Sequence, residues 1–286
     1  MQPTNVDVSV VIATYRREHL LLEAISSVTS QRGVDVEVLV VDDSPEGAAG
    51  DGVRALRDPR IRYVHRAEPS GGRPGAVRND GVALARGPLV HFLDDDDRLV
   101  DGSLAALSAA IRETGVGMGF GRVVPFGDDP VIREQERAYF EKAADISRHI
   151  RGRHWFAAQL MFGSMPLINS ACTVRRDVFV ACGGYDPSLR CCEDVDLYLR
   201  IGRASGFTFV DRDVLHYRVG APSIMTDLRR NPATADKTKL LEAYFKMQER
   251  YRRQHGAFEY RTLQVWARVA SFLPSRTSAV PTTRAS

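Results

Sequence analysis

The stretch "GPLVHFLDDDDRL", Gly87 to Leu99, decides how the rest of the chain is read. Residues 88–94 form an apolar run of strand length that leads straight into four consecutive carboxylates, Asp94 to Asp97. Adjacent like charges repel, so a strand that merely needed a polar end has no use for four of them. In open α/β sheets, ligands bind beyond the carboxyl ends of the strands. From these residues alone two readings stand. One is a solvated acidic turn or the N-terminus of a helix, where acidic residues are common. The other is part of a ligand site at the strand end.

The segments on either side supply the context. "VDVSVVIAT" (6–14) is a β-branched run, and in the "EHLLLEAISSVTSQ" after it, Leu21, Ala24, Ile25 and Val28 share one helical face. "DVEVLVVDDS" (35–44) is a second apolar run ending in Asp42 and Asp43, and "RIRYVHR" (60–66) alternates as a third strand. The glycine-rich "SGGRPGAVRNDGVALARG" (70–87) passes from a loop into a helix, with Ala76, Ala83 and Leu84 available for packing. "DGSLAALSAAIRET" (101–114) reads as a helix with Asp101 or Ser103 as its cap. Strands alternating with helices at this spacing predict βαβ units and a mostly parallel sheet with helices on both faces.

The second half is less regular. A strand is expected in 115–127, a helix in 129–150, a mixed region over 151–175, a short helix over 193–206 stopped by Gly206, and one or two strands in 207–219. "RHWFAAQLMFGSM" (153–165) is aromatic and Met-rich, and reads as core or as the wall of an apolar acceptor pocket. A basic helical region covers 226–273, and the polar tail 274–286 is expected to be disordered.

Composition bounds the class. The 286 residues are 44% hydrophobic and 26% charged, as in an ordinary soluble globular protein. A net charge of +3 is too small to argue for nucleic acid. From Arg229 onward there are 12 Lys/Arg against 4 Asp/Glu, so the C-terminal segment is basic and the body slightly acidic. That segment is a solvated helix face, a peripheral membrane contact made with Trp266 and Phe272, or a homodimer contact. No apolar run reaches membrane-spanning length and the N-terminus lacks a basic region followed by a long apolar core, so a cytoplasmic location is expected. Cys172, Cys182, Cys191 and Cys192 have no paired CxxC spacing and argue against zinc. The first strand–helix junction reads "ATYRRE" instead of GxGxxG, which argues against a nicotinamide or flavin fold.

Four blocks in order and spacing carry a resemblance: "VSVVIATYRRE", "VEVLVVDDSPEG", "GAVRNDGVALARGPLVHFLDDDD" and "CGGYDPSLRCCEDVDLYLRI". Together they resemble glycosyltransferase family 2, over about residues 6–220. The resemblance implies a GT-A fold, a Rossmann-like α/β sheet flanked by helices, in residues 1–225. Residues 1–125 would form the nucleotide-sugar half, residues 126–225 the acceptor half, and a C-terminal helical extension would complete the chain. It implies a divalent metal, Mn²⁺ or Mg²⁺, that bridges the donor's diphosphate as a Lewis acid. The acidic cluster then corresponds to the DxD motif. Asp96 is the expected metal ligand, Asp94 or Asp95 reaches the ribose or a metal-bound water, and Asp97 orients the loop.

On the same resemblance, Asp43 faces the nucleotide base, Tyr15 stacks on it, and Ala13, Thr14 and Arg16 line the donor site. Arg73 and Arg78 are expected either at the diphosphate or in structural pairs with nearby aspartates. Asp194 corresponds to the catalytic base, Glu193 lies on the acceptor side, and Asp196 is structural. The implied reaction is a single inverting displacement that moves a sugar from a UDP- or dTDP-sugar to a hydroxyl on a saccharide, a lipid-linked saccharide or a natural product. One departure stands out: relatives often carry a metal-contacting residue after the late "YR" pair, where this chain has Gly220, and His216 precedes the pair. A nucleotidyltransferase or a non-catalytic nucleotide-sugar-binding protein are the rival readings.

Overall fold

A computed structural model describes residues 5–163, 167–220 and 235–272, with side chains of the last segment described for 241–268. Eight strands form one sheet in the order β3-β2-β1-β4-β7-β6-β8-β5. The first three are β1 (Val8–Thr14), β2 (Val36–Asp42) and β3 (Ile61–His65), followed by β4 (Leu89–Asp94) and β5 (Arg98–Leu99). Strands β6 (Met118–Phe126), β7 (Cys172–Arg175) and β8 (Phe207–Arg218) complete it. Strands β3, β2, β1 and β4 run parallel, as the βαβ pattern predicts. Beyond β4 the sheet is mixed: β7 is antiparallel to β4 and β6, β8 is parallel to β6, and β5 is antiparallel to β8. The expectation of a mostly parallel sheet therefore describes the N-terminal half. In the second half β7 reaches β4 from the 169–171 turn and not through a βαβ crossover, so that pair is free to be antiparallel.

The parallel half is buried on both faces, and its strands are accordingly continuous apolar runs. Val10 and Ile12 of β1 join Leu89 and Leu93 of β4 in one core, beneath α1 (Glu18–Thr29) and α4 (Ser103–Thr114). Val11, Val90 and Phe92 point the other way, toward α3 (Pro74–Leu84) and a group of C-terminal helices. That group comprises α6 (Gly152–Phe162), α7 (Arg176–Ala181), α8 (Glu193–Ser205) and α9 (Ala235–Phe272). Two further helices, α2 (Gly50–Ala55) and α5 (Pro130–His149), lie on the periphery. Alternation along each central strand assigns every second residue to the opposite layer.

Several local expectations are corrected. In α3 the buried residues are Gly75, Val77, Arg78, Gly81 and Val82, whereas Ala76 and Leu84 are half-buried and Ala83 is exposed. The helix lies so close to the sheet that glycine, not alanine, marks its inner face: a Cβ on Gly81 would meet Val11 Cγ1 at 2.4 Å. Neither Asp101 nor Ser103 caps α4; Gly102 occupies that position in a left-handed conformation (φ 72°). Short α2 and α7 went unanticipated, and 151–175 resolves into α6, a 3-10 turn (Asn169–Ala171) and β7. The basic region is two helices meeting at Gly256 (φ 88°), where the chain leaves helical geometry. The tail 274–286, and the side chain of Phe272, lie outside the described residues.

His91, in the middle of β4, is fully buried, and burial pushes its pKa down to about 4. Its Nε2 is 3.0 Å from the Ser170 carbonyl and its Nδ1 2.9 Å from the Thr173 hydroxyl. A carbonyl only accepts, so the neutral ring carries its proton on Nε2. The Ser170 hydroxyl in turn accepts the Asp94 N–H at 3.0 Å, which pins the 169–171 turn against the end of β4.

The α3–β1 approach yields a stability prediction. Gly81→Ala gains about 1 kcal/mol of helix propensity, but the added methyl meets a branched side chain on a central strand with nowhere to move. Overpacking of about 1–3 kcal/mol prevails, so the urea midpoint should fall with the slope unchanged. A midpoint equal to or above that of the parent chain contradicts the close packing.

Candidate active site

The carboxyl ends of β1, β2 and β4 open onto a cavity of about 1080 Å³, closed on its far side by the start of α8 and by residues of α6 and α9. Ala13, Thr14, Tyr15, Asp43, Arg73, Arg78, Asp94, Asp95, Asp96, Glu193 and Asp194 all line it. Sequence positions some 180 residues apart are thus gathered by the ends of three parallel strands and one helix N-terminus.

Arg16 does not line the cavity. It adopts a left-handed backbone (φ 55°) and pairs with Glu46 at 2.6 Å on the surface. Its neighbour Arg17 enters instead, placing Nη1 2.9 Å from Asp96 Oδ2 and 3.1 Å from Asp95 Oδ1. Asp95 also accepts the Thr14 hydroxyl at 2.8 Å. Arg218, at the end of β8, donates its backbone N–H to Asp97 at 2.9 Å and its Nε to the Asp96 carbonyl at 2.8 Å. Two arginines therefore hold the acidic turn, Arg17 by the aspartate side chains and Arg218 largely by the backbone.

The turn stays charge-crowded all the same. Burial, then repulsion from Asp94 and Asp95, pushes the Asp96 carboxyl up to about 6, against the pull of Arg17. Burial also raises Asp95 and, more strongly, Asp97, whose Oδ2 has no hydrogen-bond partner among the described residues. A site of hard oxygen donors carrying this much unneutralised charge fits a divalent Mg²⁺ or Mn²⁺ ion. Among the described residues no group of three His, Cys, Asp or Glu side chains forms a metal cage, so such an ion would draw further ligands from a phosphate-bearing substrate or water. His216 lies within β8 opposite Arg98, its ring 6.1 Å from that of Phe126, and not among the cavity residues.

Arg78 is buried and reaches both sides of the cavity. Its Nη2 is 2.7 Å from Asp94 and its Nη1 2.9 Å from Glu193. Burial opposes its charge, but Asp94, Tyr185 and Glu193 together raise its pKa. Gly75, one turn earlier on α3, permits this approach: a Cβ there would stand 2.9 Å from that of Tyr185 and 3.1 Å from Glu193 Cγ. The Asp43 carboxylate accepts from the Ser70 N–H (2.7 Å) and hydroxyl (2.6 Å) and pairs with Arg66 at 3.0 Å, fastening the glycine-rich loop to the end of β2. Arg73 folds back within that loop onto the Ser70 carbonyl at 2.8 Å. Asp42 is fully buried and accepts from Ser44, Ala49 and Tyr63, so it serves the turn.

On the other wall, the first turn of α8 carries Glu193, Asp194 and Asp196. Burial, then the Glu193 charge, pushes Asp194 up to about 7, opposed by the Val195 N–H and by Arg78. Asp196 is buried under Arg200 of the same helix (2.7 Å) and Arg250 of α9 (3.1 Å), the second of which ties α8 to α9. Asn169, a residue that no sequence motif singles out, joins the two walls. Its Oδ1 accepts from the Tyr185 and Tyr198 hydroxyls, each at 2.7 Å, and its Nδ2 lies 3.4 Å from Asp94. Nothing in "LINSACTV" advertises that role. Arg17 was within reach, standing next to Arg16 in "TYRRE", but two consecutive arginines give no sign of which one turns inward.

The chain resembles known proteins in sequence and in fold. A family model described as Glycosyl transferase family 2 matches residues 9–180, more than half of the chain. The succinoglycan biosynthesis protein ExoO of Rhizobium meliloti is 42% identical over 91 residues, 32% of this chain and 26% of that protein. A Campylobacter jejuni GalNAc(5)-diNAcBac-PP-undecaprenol beta-1,3-glucosyltransferase is 33% identical over 142 residues, 49% of this chain and 45% of that enzyme. The chain thus matches less than half the length of these two relatives. Among solved structures, S. aureus TarS 1-349 in complex with UDP-GlcNAc superposes with a TM-score of 0.60 at 16% identity, covering 91% of this chain and 79% of that one. Mannosyltransferase PcManGT from Pyrobaculum calidifontis, in complex with GDP-Man and Mn²⁺, gives 0.56 at 17% identity, covering 96% and 84%. These structural likenesses establish the GT-A fold, and the match over residues 9–180 establishes that the chain belongs to glycosyltransferase family 2.

Proposed function

We propose that the chain transfers a sugar from a nucleotide-sugar donor to an acceptor hydroxyl by a single, inverting displacement. The observation that carries this reading is the presence, in one cavity, of an acidic cluster suited to a metal–diphosphate pair and a separate carboxyl, Asp194, tuned to about 7. A general base works best with a pKa near the operating pH. Residues 1–125 form the donor side and residues 126–225 the acceptor side in this reading. The neighbour bound to UDP-GlcNAc favours a UDP- or dTDP-sugar, although another neighbour binds GDP-Man.

Tyr15, half exposed at the cavity edge, offers a ring face to the base, and the glycine loop fastened by Asp43 closes over the nucleotide. Asp96, with Asp95, would hold the divalent ion together with oxygens of the donor's diphosphate and water, and the bound ion would stabilise charge on the leaving diphosphate as a Lewis acid. Arg17 and Arg73 offer forked donors to the same phosphates. On the opposite wall Asp194 accepts the acceptor's proton as its oxygen attacks the anomeric carbon, and Glu193, held by Arg78, keeps the start of α8 in register. Arg78 itself has both terminal nitrogens committed to carboxylates, so its part is positioning instead of phosphate binding. The acceptor wall includes Leu160, Leu167, Ile168, Val195 and Tyr244, with the Tyr244 hydroxyl bonded to the Met161 carbonyl. That lining suits an acceptor hydroxyl carried on an apolar group, such as a lipid-linked saccharide. Among the described residues no helix is long and apolar enough to cross a membrane.

Three outcomes test the assignment. Asp194→Asn should lower turnover by about 10²–10⁴-fold while donor binding, read by thermal shift with Mn²⁺, persists. Turnover near the parent level in that variant removes the base. The second is a pH profile. Below about 7 the Asp194 carboxyl holds a proton and cannot accept another, so turnover per bound donor should climb with pH through about 7 and then level off. An unshifted carboxylate, with a pKa of about 4, would instead give a flat profile across neutral pH. The third is Asp96→Asn, which should weaken Mn²⁺-dependent donor binding at every pH, an effect visible by calorimetry without turnover.

A further inference from the structure

Three arginines surround the acidic turn, and they are not equivalent. Arg78 is buried and clamped between Asp94 and Glu193, so it has no room to move. Arg218 holds the turn through the Asp96 carbonyl and the Asp97 side chain, and sends its Nη2 to Glu23. Arg17 differs from both: its guanidinium rests on the carboxylate oxygens of Asp95 and Asp96, the groups best suited to a divalent ion. Its side chain is about a third exposed, where those of the two aspartates are 7% and 14% exposed. It is the N-cap residue of α1 but makes no side-chain capping bond, and it lines the cavity.

We propose that Arg17 is a resident counter-ion of the aspartate pair, which leaves the carboxylates only when a divalent cation arrives together with a diphosphate. The proposal rests on the nucleotide-sugar reading above. A cation approaching alone meets a positive charge already seated on its ligands, and no three acidic or imidazole groups among the described residues form a cage that would compensate. A diphosphate changes both conditions. It supplies the missing oxygen ligands to the cation, and it gives the guanidinium a new anionic partner with matching forked geometry. Cation and nucleotide then enter as a pair, each raising the affinity for the other by the same factor. The device keeps the buried carboxylates neutralised between turnovers without a permanently bound metal.

The test uses the full chain and Mn²⁺ as the probe, with free Mn²⁺ read by electron paramagnetic resonance. Arg17→Met keeps the length and removes the charge; Arg17→Lys keeps the charge. Arg17→Met should bind Mn²⁺ alone about tenfold or more tightly than the parent, since a unit charge at contact distance has been removed, while Arg17→Lys stays near the parent value. UDP should tighten Mn²⁺ binding strongly in the parent and much less in Arg17→Met. Nucleotide binding with an unchanged Mn²⁺ affinity in Arg17→Met overturns the counter-ion role. Failure of UDP, dTDP and GDP alike to bind the parent chain, with or without Mn²⁺, overturns the donor reading instead. A circular-dichroism melt of both variants separates either result from misfolding.

Discussion

The buried guanidinium of Arg78 is the contact on which the rest of the site depends. It lies on α3, between the end of β4 and the start of α8, and it bonds a carboxylate from each. Arg78 and Glu193 are buried while Asp94 stays about a third exposed. Taking the two buried charges out of water is unfavourable and close pairing offsets it, and removing one member of a buried pair typically costs about 3–5 kcal/mol. Electrostatics therefore joins apolar packing, in which Phe92, Tyr185 and Leu197 share one core, in setting the spacing between the two walls of the cavity. Gly75 lets α3 come close enough for the bridge, and the Tyr185 ring lies beside the guanidinium, 5.6 Å from centroid to Cζ. Asn169 adds a second, uncharged tie between the same walls.

Around that bridge burial raises carboxyls at both acidic sites, and the two differ in the groups that meet their charge. The four aspartates behind β4 are crowded, and Arg17, Arg218 and the Thr14 hydroxyl meet part of their charge. Asp194 is half-buried beside Glu193, and burial, then the Glu193 charge, raises it to about 7 against the pull of Arg78. In the displacement proposed above, the first site would receive positive charge and the second a proton.

Much of this was legible in the chain. The strands β1, β2 and β4 are continuous apolar runs because both of their faces are covered, and each ends in the polar residues that line the cavity. The inner face of α1 came from its spacing alone, because Leu21, Ala24, Ile25 and Val28 are all buried. The inner face of α3 did not, since apolarity is the wrong cue where a helix packs closely enough to require glycine. Arg16 and Arg17 could not be told apart by pattern, because the left-handed backbone that sends them in different directions carries no signature of its own. The network of Asn169, Tyr185 and Tyr198 joins residues up to 29 positions apart through hydrogen bonds that no periodicity encodes.

By itself the sequence determined the α/β class, the placement of carboxylates beyond strand ends, and the family to which those blocks belong. Each of these is a local matter: the period of apolar residues, the length of a run, and the residue types at its end. Tertiary structure decided which charges meet. It turned Arg78 from a candidate phosphate ligand into a strut, put Arg17 in the place expected of Arg16, made the second half of the sheet mixed, and raised Asp194 to the range of a base. Those outcomes depend on burial and on distances of about 3 Å between residues far apart in the chain, and a change in dielectric surroundings cannot be read from the order of the residues.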